Sequence, residues 1–183
     1  RKGGLGGYIA IFDCLDPDAY GQHAAAMGVS TTYEIDRPGV YRCIQLHPRD
    51  CWGTMLEFDR TYGGESLTGL YSPAGEGWQR YVDTSVTRTI TGIEAISPRP
   101  GALATRWGAI LKRPVVRTEA KYVIQVDGAE VFIAPSEGPE RLEVILLQVA
   151  DAGAVMAEAQ RRGRARGADE ISLAGMTFRV SQG

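Results

Sequence analysis

Residues 43–59 read CIQLHPRDCWGTMLEFD. Two apolar runs, CIQL and GTMLEFD, flank a polar break that carries His-Pro and Trp-Gly. Short apolar runs bounded by Pro and Gly predict two strands and a connection between them. Working backwards, VYRCIQL is preceded by TTYEI, a further strand, with the turn signal DRPG between the two. Before these lies PDAYGQHAAAM (17–27), whose composition predicts a helix. Asp16 can cap it, Pro17 suits its first turn and Gly28 can end it. YIAIF (8–12) predicts an opening strand. The order is β-α-β-β-β, complete near Asp59.

The pattern restarts twice. Residues 61–88 are rich in Gly and Ser and weakly periodic, which predicts a surface linker pinned by Leu70, Tyr71 and Trp78. ITGIEAI (90–96) then predicts a strand, and PGALATRWGAIL (100–111) a helix with Leu103, Trp107, Ile110 and Leu111 on one face. KYVIQV and AEVFIA form a hairpin about Asp127–Gly128, a strong short-turn signal. RLEVILLQV (141–149) predicts the next strand. DAGAVMAEAQRRG (151–163) predicts a helix with Val155, Ala159 and Gln160 along one side, and ISLA and MTFRV close as strands. One strand–helix–strands unit thus begins near residues 8, 90 and 141.

The bulk properties exclude several classes. Twenty basic residues stand against 22 acidic ones, a net charge of −2, so neither nucleic acid nor a membrane surface is an expected partner. No apolar run approaches the roughly 18 residues of a spanning helix. The three cysteines, Cys14, Cys43 and Cys51, form no CxxC pair, which predicts thiols in a reducing cytoplasm. Two histidines, His23 and His47, cannot supply a multi-histidine zinc site within this chain. GGLGG (3–7) precedes its strand, whereas a dinucleotide loop follows one. RRGRARG (161–167) reads as the solvated end of a helix.

Repeated βαβββ units of this size resemble the vicinal oxygen chelate superfamily, which includes glyoxalase I, methylmalonyl-CoA epimerase, extradiol dioxygenases and bleomycin-resistance proteins. The stretch 43–59 is most similar to the closing hairpin of the methylmalonyl-CoA epimerases, where His-Pro-Lys-Asp and a Gly lead into a strand ending in a ligand Glu. The resemblance is good over about residues 6–60 and weaker over 90–182. It implies an α+β fold of βαβββ units paired into curved mixed sheets. The expected organisation is one unit at 1–60, a linker at 61–88, and paired units at 89–183. The first unit's partner is expected N-terminal to Arg1, from another subunit of a homodimer, or not at all.

The resemblance also implies site residues. The last-strand ligand falls on Glu57, as metal ligand or general base; an ordinary strand Glu is the alternative. The first-strand ligand position falls on Gly7. In the paired units the four inward positions fall on Gly92, Phe132, Val144 and Arg179, a set that binds no divalent metal. His47 and Arg49 are candidates for contact with a ligand or its phosphate, against a turn-forming imidazole and a solvated Arg. Arg179 is a candidate for an anionic ligand, against pairing with a nearby acid. The implied cofactor is one divalent ion (Zn, Ni, Co, Mn or Fe) or none. The implied activity is that of a lyase or isomerase acting next to a carbonyl of a small or CoA-linked acid. The alternative is a metal-free module that binds a small molecule without catalysis.

Overall fold

Asp16 accepts a hydrogen bond from the Ala19 amide, Pro17 occupies the first turn, and the helix α1 (Pro17–Ala26) follows. It lies between β1 (Ile9–Asp13) and the strands β2 (Thr31–Arg37) and β3 (Tyr41–Leu46). A single helical turn, α2 (Pro48–Cys51), leads into β4 (Met55–Thr61). The computed structural model describes residues 6–66 and 68–183. These four strands form one sheet in the order β1-β4-β3-β2, with β1 parallel to β4 and the other pairs antiparallel. The α1 face of this sheet is its core. Tyr20 stacks on Phe58 at 4.3 Å, Gly21 lies against Ile44, and Leu46 and Leu56 are fully buried.

Residues 62–82 belong to the same compact unit, Ile9–Val82. They contain two 3-10 turns, Ser72–Ala74 and Trp78–Tyr81. The Trp78 indole donates to the Gly69 carbonyl, and the Ser72 amide donates to Thr61 Oγ1. Leu67 lies outside the described residues.

The second unit holds Asp83–Gly183 and the described residues that precede Ile9. Its elements are β5 (Thr87–Ser97), α3 (Pro100–Leu111), β6 (Val115–Arg117), β7 (Tyr122–Val126), β8 (Ala129–Pro135), β9 (Arg141–Val149), α4 (Ala152–Arg161), β10 (Glu170–Leu173) and β11 (Met176–Gln182). They make a seven-stranded sheet in the order β10-β11-β9-β5-β8-β7-β6. The first strand of each βαβββ repeat is parallel to its last: β5 to β8, and β9 to β11. The two repeats join through antiparallel pairing of β5 with β9. In the last repeat the second strand shrinks to one bridge, Ala165 to Ile171.

The helix stripe expected on α3 is its buried face: Leu103, Trp107, Ile110 and Leu111 pack with α3 over β7 and β8. On α4 Ala159 is buried and Val155 packs against the cluster of Val149, Met156 and Val180, as spacing predicts; Gln160 is exposed, and Met156 takes the remaining place on that side. No helix among the described residues is long and apolar enough to cross a membrane.

Candidate functional site

Strand alternation divides the four-stranded sheet into two faces. Ile44 and Phe58 point to α1, so their neighbours point the other way. On that second face Cys43 stands level with Asp59, and Gln45 with Glu57. On the neighbouring strand Ile11 is level with Glu57 and Asp13 with Asp59.

The acids here are deeply buried: Glu57 is 5% exposed, Asp59 3% and Cys43 1%. One oxygen of Asp59, Oδ2, accepts a 2.5 Å hydrogen bond from the Tyr41 hydroxyl. Asp59 Oδ1 and Glu57 Oε2 are buried without a hydrogen-bond partner. Among the described residues neither carboxylate makes an ion pair. Burial raises the Glu57 carboxyl pKa above the usual range, and the Asp59 charge adds to the rise. Burial likewise pushes up the Cys43 thiol, with Asp59 and Glu57 contributing. Tyr41 is held protonated by burial and by its bond to Asp59. Tyr71, from the 62–82 segment, is pushed up by burial first and then by Asp59, Asp13 and Glu57.

Three donors, the Cys43 sulfur and one oxygen each from Glu57 and Asp59, lie within 4.8 Å of one another. They can hold a metal ion. Two buried carboxyl oxygens without partners are what a divalent cation would satisfy, and carboxylates with a thiol are a chemically sound donor set. Cys43 and Asp59 were missed in the sequence. The available signal was strand alternation from Glu57 to Asp59 and across the hairpin to Cys43.

His47 and Arg49 lie in the connection from β3 to β4. His47 Nδ1 accepts from the Arg49 amide at 3.1 Å, capping α2. The Arg49 side chain is 75% exposed and pairs with Asp50 at 3.4 Å. Gly7 bridges Leu142 of β9, and the first-strand residue level with Glu57 is Ile11. Gly3 and Gly4 lie outside the described residues.

The seven-stranded sheet carries its own buried acid on the face away from α3. Glu94, 7% exposed, is level with Phe132. Counting from the sequence placed Gly92 there, two residues early; Gly92 is level with Glu130 instead. Glu94 Oε2 accepts from Lys121 Nζ at 3.0 Å and lies 3.5 Å from Arg179 Nη1. The Lys121 ammonium is also 3.7 Å from the Phe132 ring centroid. Arg179 donates to Glu170 Oε1 at 2.8 and 3.0 Å. Two cations thus close on two acids.

The repeated βαβββ topology agrees with solved structures. The chain is similar to the Mn(II)-bound glyoxalase from Novosphingobium aromaticivorans, at TM-score 0.64 and 14% identity over 95% of this chain and 62% of that one. It is similar to homoprotocatechuate 2,3-dioxygenase from Arthrobacter globiformis, at TM-score 0.66 and 12% identity over 100% of this chain and 64% of that one. The fold is that of the vicinal oxygen chelate proteins. A third such structure, 2,2',3-trihydroxybiphenyl 1,2-dioxygenase from Sphingomonas wittichii, matches at TM-score 0.63 and 11% identity over 98% and 71% of the two chains. This vicinal oxygen chelate fold spans less than two thirds of the glyoxalase and of the Arthrobacter dioxygenase. No protein-family model and no curated protein sequence matches the chain.

Proposed function

We propose that this chain performs lyase or isomerase chemistry beside a carbonyl of a small or CoA-linked acid, centred on Glu57. The observation that carries this is the pair of buried carboxylate oxygens, Glu57 Oε2 and Asp59 Oδ1, that no protein group satisfies. A raised carboxyl pKa suits a group that takes and returns a proton near neutral pH.

Glu57 accepts the substrate's α-proton and returns it to the same carbon or to its neighbour. The bonding electrons of the broken C–H bond move into the carbonyl as an enolate. Asp59, fixed by the Tyr41 hydroxyl through Oδ2, leaves Oδ1 without a protein partner. Cys43, Glu57 and Asp59 would hold a divalent ion, which when bound supplies polarisation of the substrate carbonyl. A carboxylate has two oxygens, so Glu57 can serve as ligand through one and as base through the other. The kinship of this unit with methylmalonyl-CoA epimerases rests on the resemblance of 43–59.

In the seven-stranded unit the Glu94–Lys121–Arg179–Glu170 network pairs each acid with a cation, which leaves no carboxylate there for a metal and centres the proposal on the first unit. A homodimer belongs to the same proposal. β5 and β9, first strands of their repeats, pair with each other, whereas β1 is an edge strand of its sheet. The free thiols of Cys14, Cys43 and Cys51 suit the reducing cytoplasm expected for it.

The test is solvent-deuterium incorporation at the α-carbon of a panel of 2-oxo acids, 2-hydroxy acids and acyl-CoA thioesters, followed by mass spectrometry. The proposal expects incorporation with the native chain and a loss of about 10²–10⁴-fold in Glu57→Gln, the usual worth of a general base. Equal incorporation by both chains overturns it.

A further inference from the structure

We infer that Cys43 is a metal ligand, and that this makes the site in the first unit selective for thiolate-seeking ions such as zinc and cobalt over manganese and magnesium. The inference rests on the reading of Cys43, Glu57 and Asp59 as holders of an ion and goes further by naming the class of ion that the sulfur selects.

The donor set lies within one hairpin. Cys43 is on β3, Glu57 and Asp59 are on β4, and Cys43 is paired directly with Asp59. Strand register holds the three donors on one face, so no group from another unit is needed to bring them together. Two further facts point to a cation. Glu57 Oε2 and Asp59 Oδ1 are unpartnered, and their residues are at least nineteen-twentieths buried. The second oxygen of Asp59 is already engaged by Tyr41, which leaves Oδ1 as its free donor.

The chemistry of the set then selects the ion. Oxygen-only sites suit magnesium, calcium and manganese, whereas thiolate ligands favour softer ions. Three protein ligands are also the usual number in a catalytic zinc site, where a fourth position stays open to water or substrate. On binding, the thiol gives up its proton to solvent and the sulfur's electron pair forms the metal bond, so uptake of the ion releases a proton. Cys14 and Cys51 offer no such set: neither appears in a cluster of three donors among the described residues.

The test uses the full chain, stripped with a chelator and titrated with cobalt(II) chloride alone. The expected result is a thiolate-to-cobalt charge-transfer band in the near ultraviolet. That band is kept in Cys14→Ser and lost in Cys43→Ser. Cobalt affinity of Cys43→Ser should fall by more than about 100-fold, beyond the 10–100-fold that an outer supporting residue is worth. Zinc should displace the cobalt and manganese should not. X-ray absorption of the zinc-loaded native chain needs no variant, and should show one sulfur at about 2.3 Å. Cobalt binding with no such band and only oxygen neighbours at about 2.0–2.2 Å overturns the inference and leaves the carboxylate reading intact. No cobalt uptake by the native chain overturns both, and the deuterium assay then still judges Glu57 as a base.

Discussion

Glu57 and Glu94 are both buried acids on the face of a βαβββ sheet turned away from its helix, and their surroundings differ in sign. Glu94 meets two cations, Lys121 and Arg179, and the second of these also serves Glu170. Glu57 meets another carboxylate, Asp59, with the Cys43 thiol and the Gln45 amide, and, among the described residues, no cation. A buried acid with its charge balanced is structural, because nothing is left for a ligand to satisfy. A buried acid among other acids either keeps its proton or waits for a cation. The same unit of fold therefore yields a charge-balanced face in one half of the chain and a face with unpartnered carboxyl oxygens in the other.

That contrast can be broken from the closed side, where the largest effect is expected. Replacing Lys121 and Arg179 together by Met leaves Glu94 buried and uncompensated. Urea unfolding should show a loss of about 3–5 kcal/mol. Adding Glu94→Leu should recover most of it. A double variant as stable as the native chain would mean that Glu94 needs no partner.

Gly92 tests how closely β5 and β8 are held together on the closed side. A Cβ at this position would lie 2.4 Å from the Glu130 carbonyl oxygen, which is backbone and cannot swing away. Gly92→Ala should therefore cost about 1–3 kcal/mol, as overpacking does. Thermal melting would read it, and an unchanged melting temperature would show that the strands part easily.

On the reactive side the sign reverses. In chelator-treated protein, Glu57→Gln should raise stability at pH 8 by on the order of 1–2 kcal/mol, since it removes a buried group whose charged form is unsatisfied. The pH dependence follows from the raised pKa. The folded chain holds the Glu57 proton more tightly than the unfolded chain. The Glu57 contribution to stability is fully present below the ordinary value of 4.5 and is lost as pH rises through the folded value. Glu57→Gln should flatten that slope; a slope equal to the native one would place the titration elsewhere.

The smallest effect belongs to the hairpin end. Asp50 accepts from the Ser30 amide, and that bond holds its carboxyl down at about 2. Its contribution is present above the ordinary 3.8 and fades as pH falls toward the folded value, so Asp50→Asn should unfold at a higher pH than the native chain during acid titration. Arg49→Ala should change stability by no more than about 0.5 kcal/mol. A strong loss of ligand binding in Arg49→Ala would restore the role first expected of that residue.

Much of the fold could be read from local chemistry. The cap Asp16, the Pro17 start and the Asp127–Gly128 turn each act within a few residues, so they survive in one dimension. The three-residue strand β6 left too short a pattern to detect, and α2 is a single turn built on a His-Pro pair. The two 3-10 turns after β4 carry no hydrophobic period. Glu57 was legible by resemblance, but Cys43 and Asp59 join it only through register across β3 and β4. Glu94 was hidden for the same reason: a count along one strand cannot show which neighbour it faces. Arg179 was visible as a charge, while its two acids sit 85 residues before it, at Glu94, and nine before it, at Glu170.

The most direct measurement is the zinc content of the purified full chain after saturation and desalting, taken in parallel for the native protein, Glu57→Gln and Glu94→Gln. One zinc per chain is expected in the native protein and in Glu94→Gln, and none in Glu57→Gln. Zinc retained by Glu57→Gln, or lost with Glu94→Gln in a chain that still folds, would contradict it.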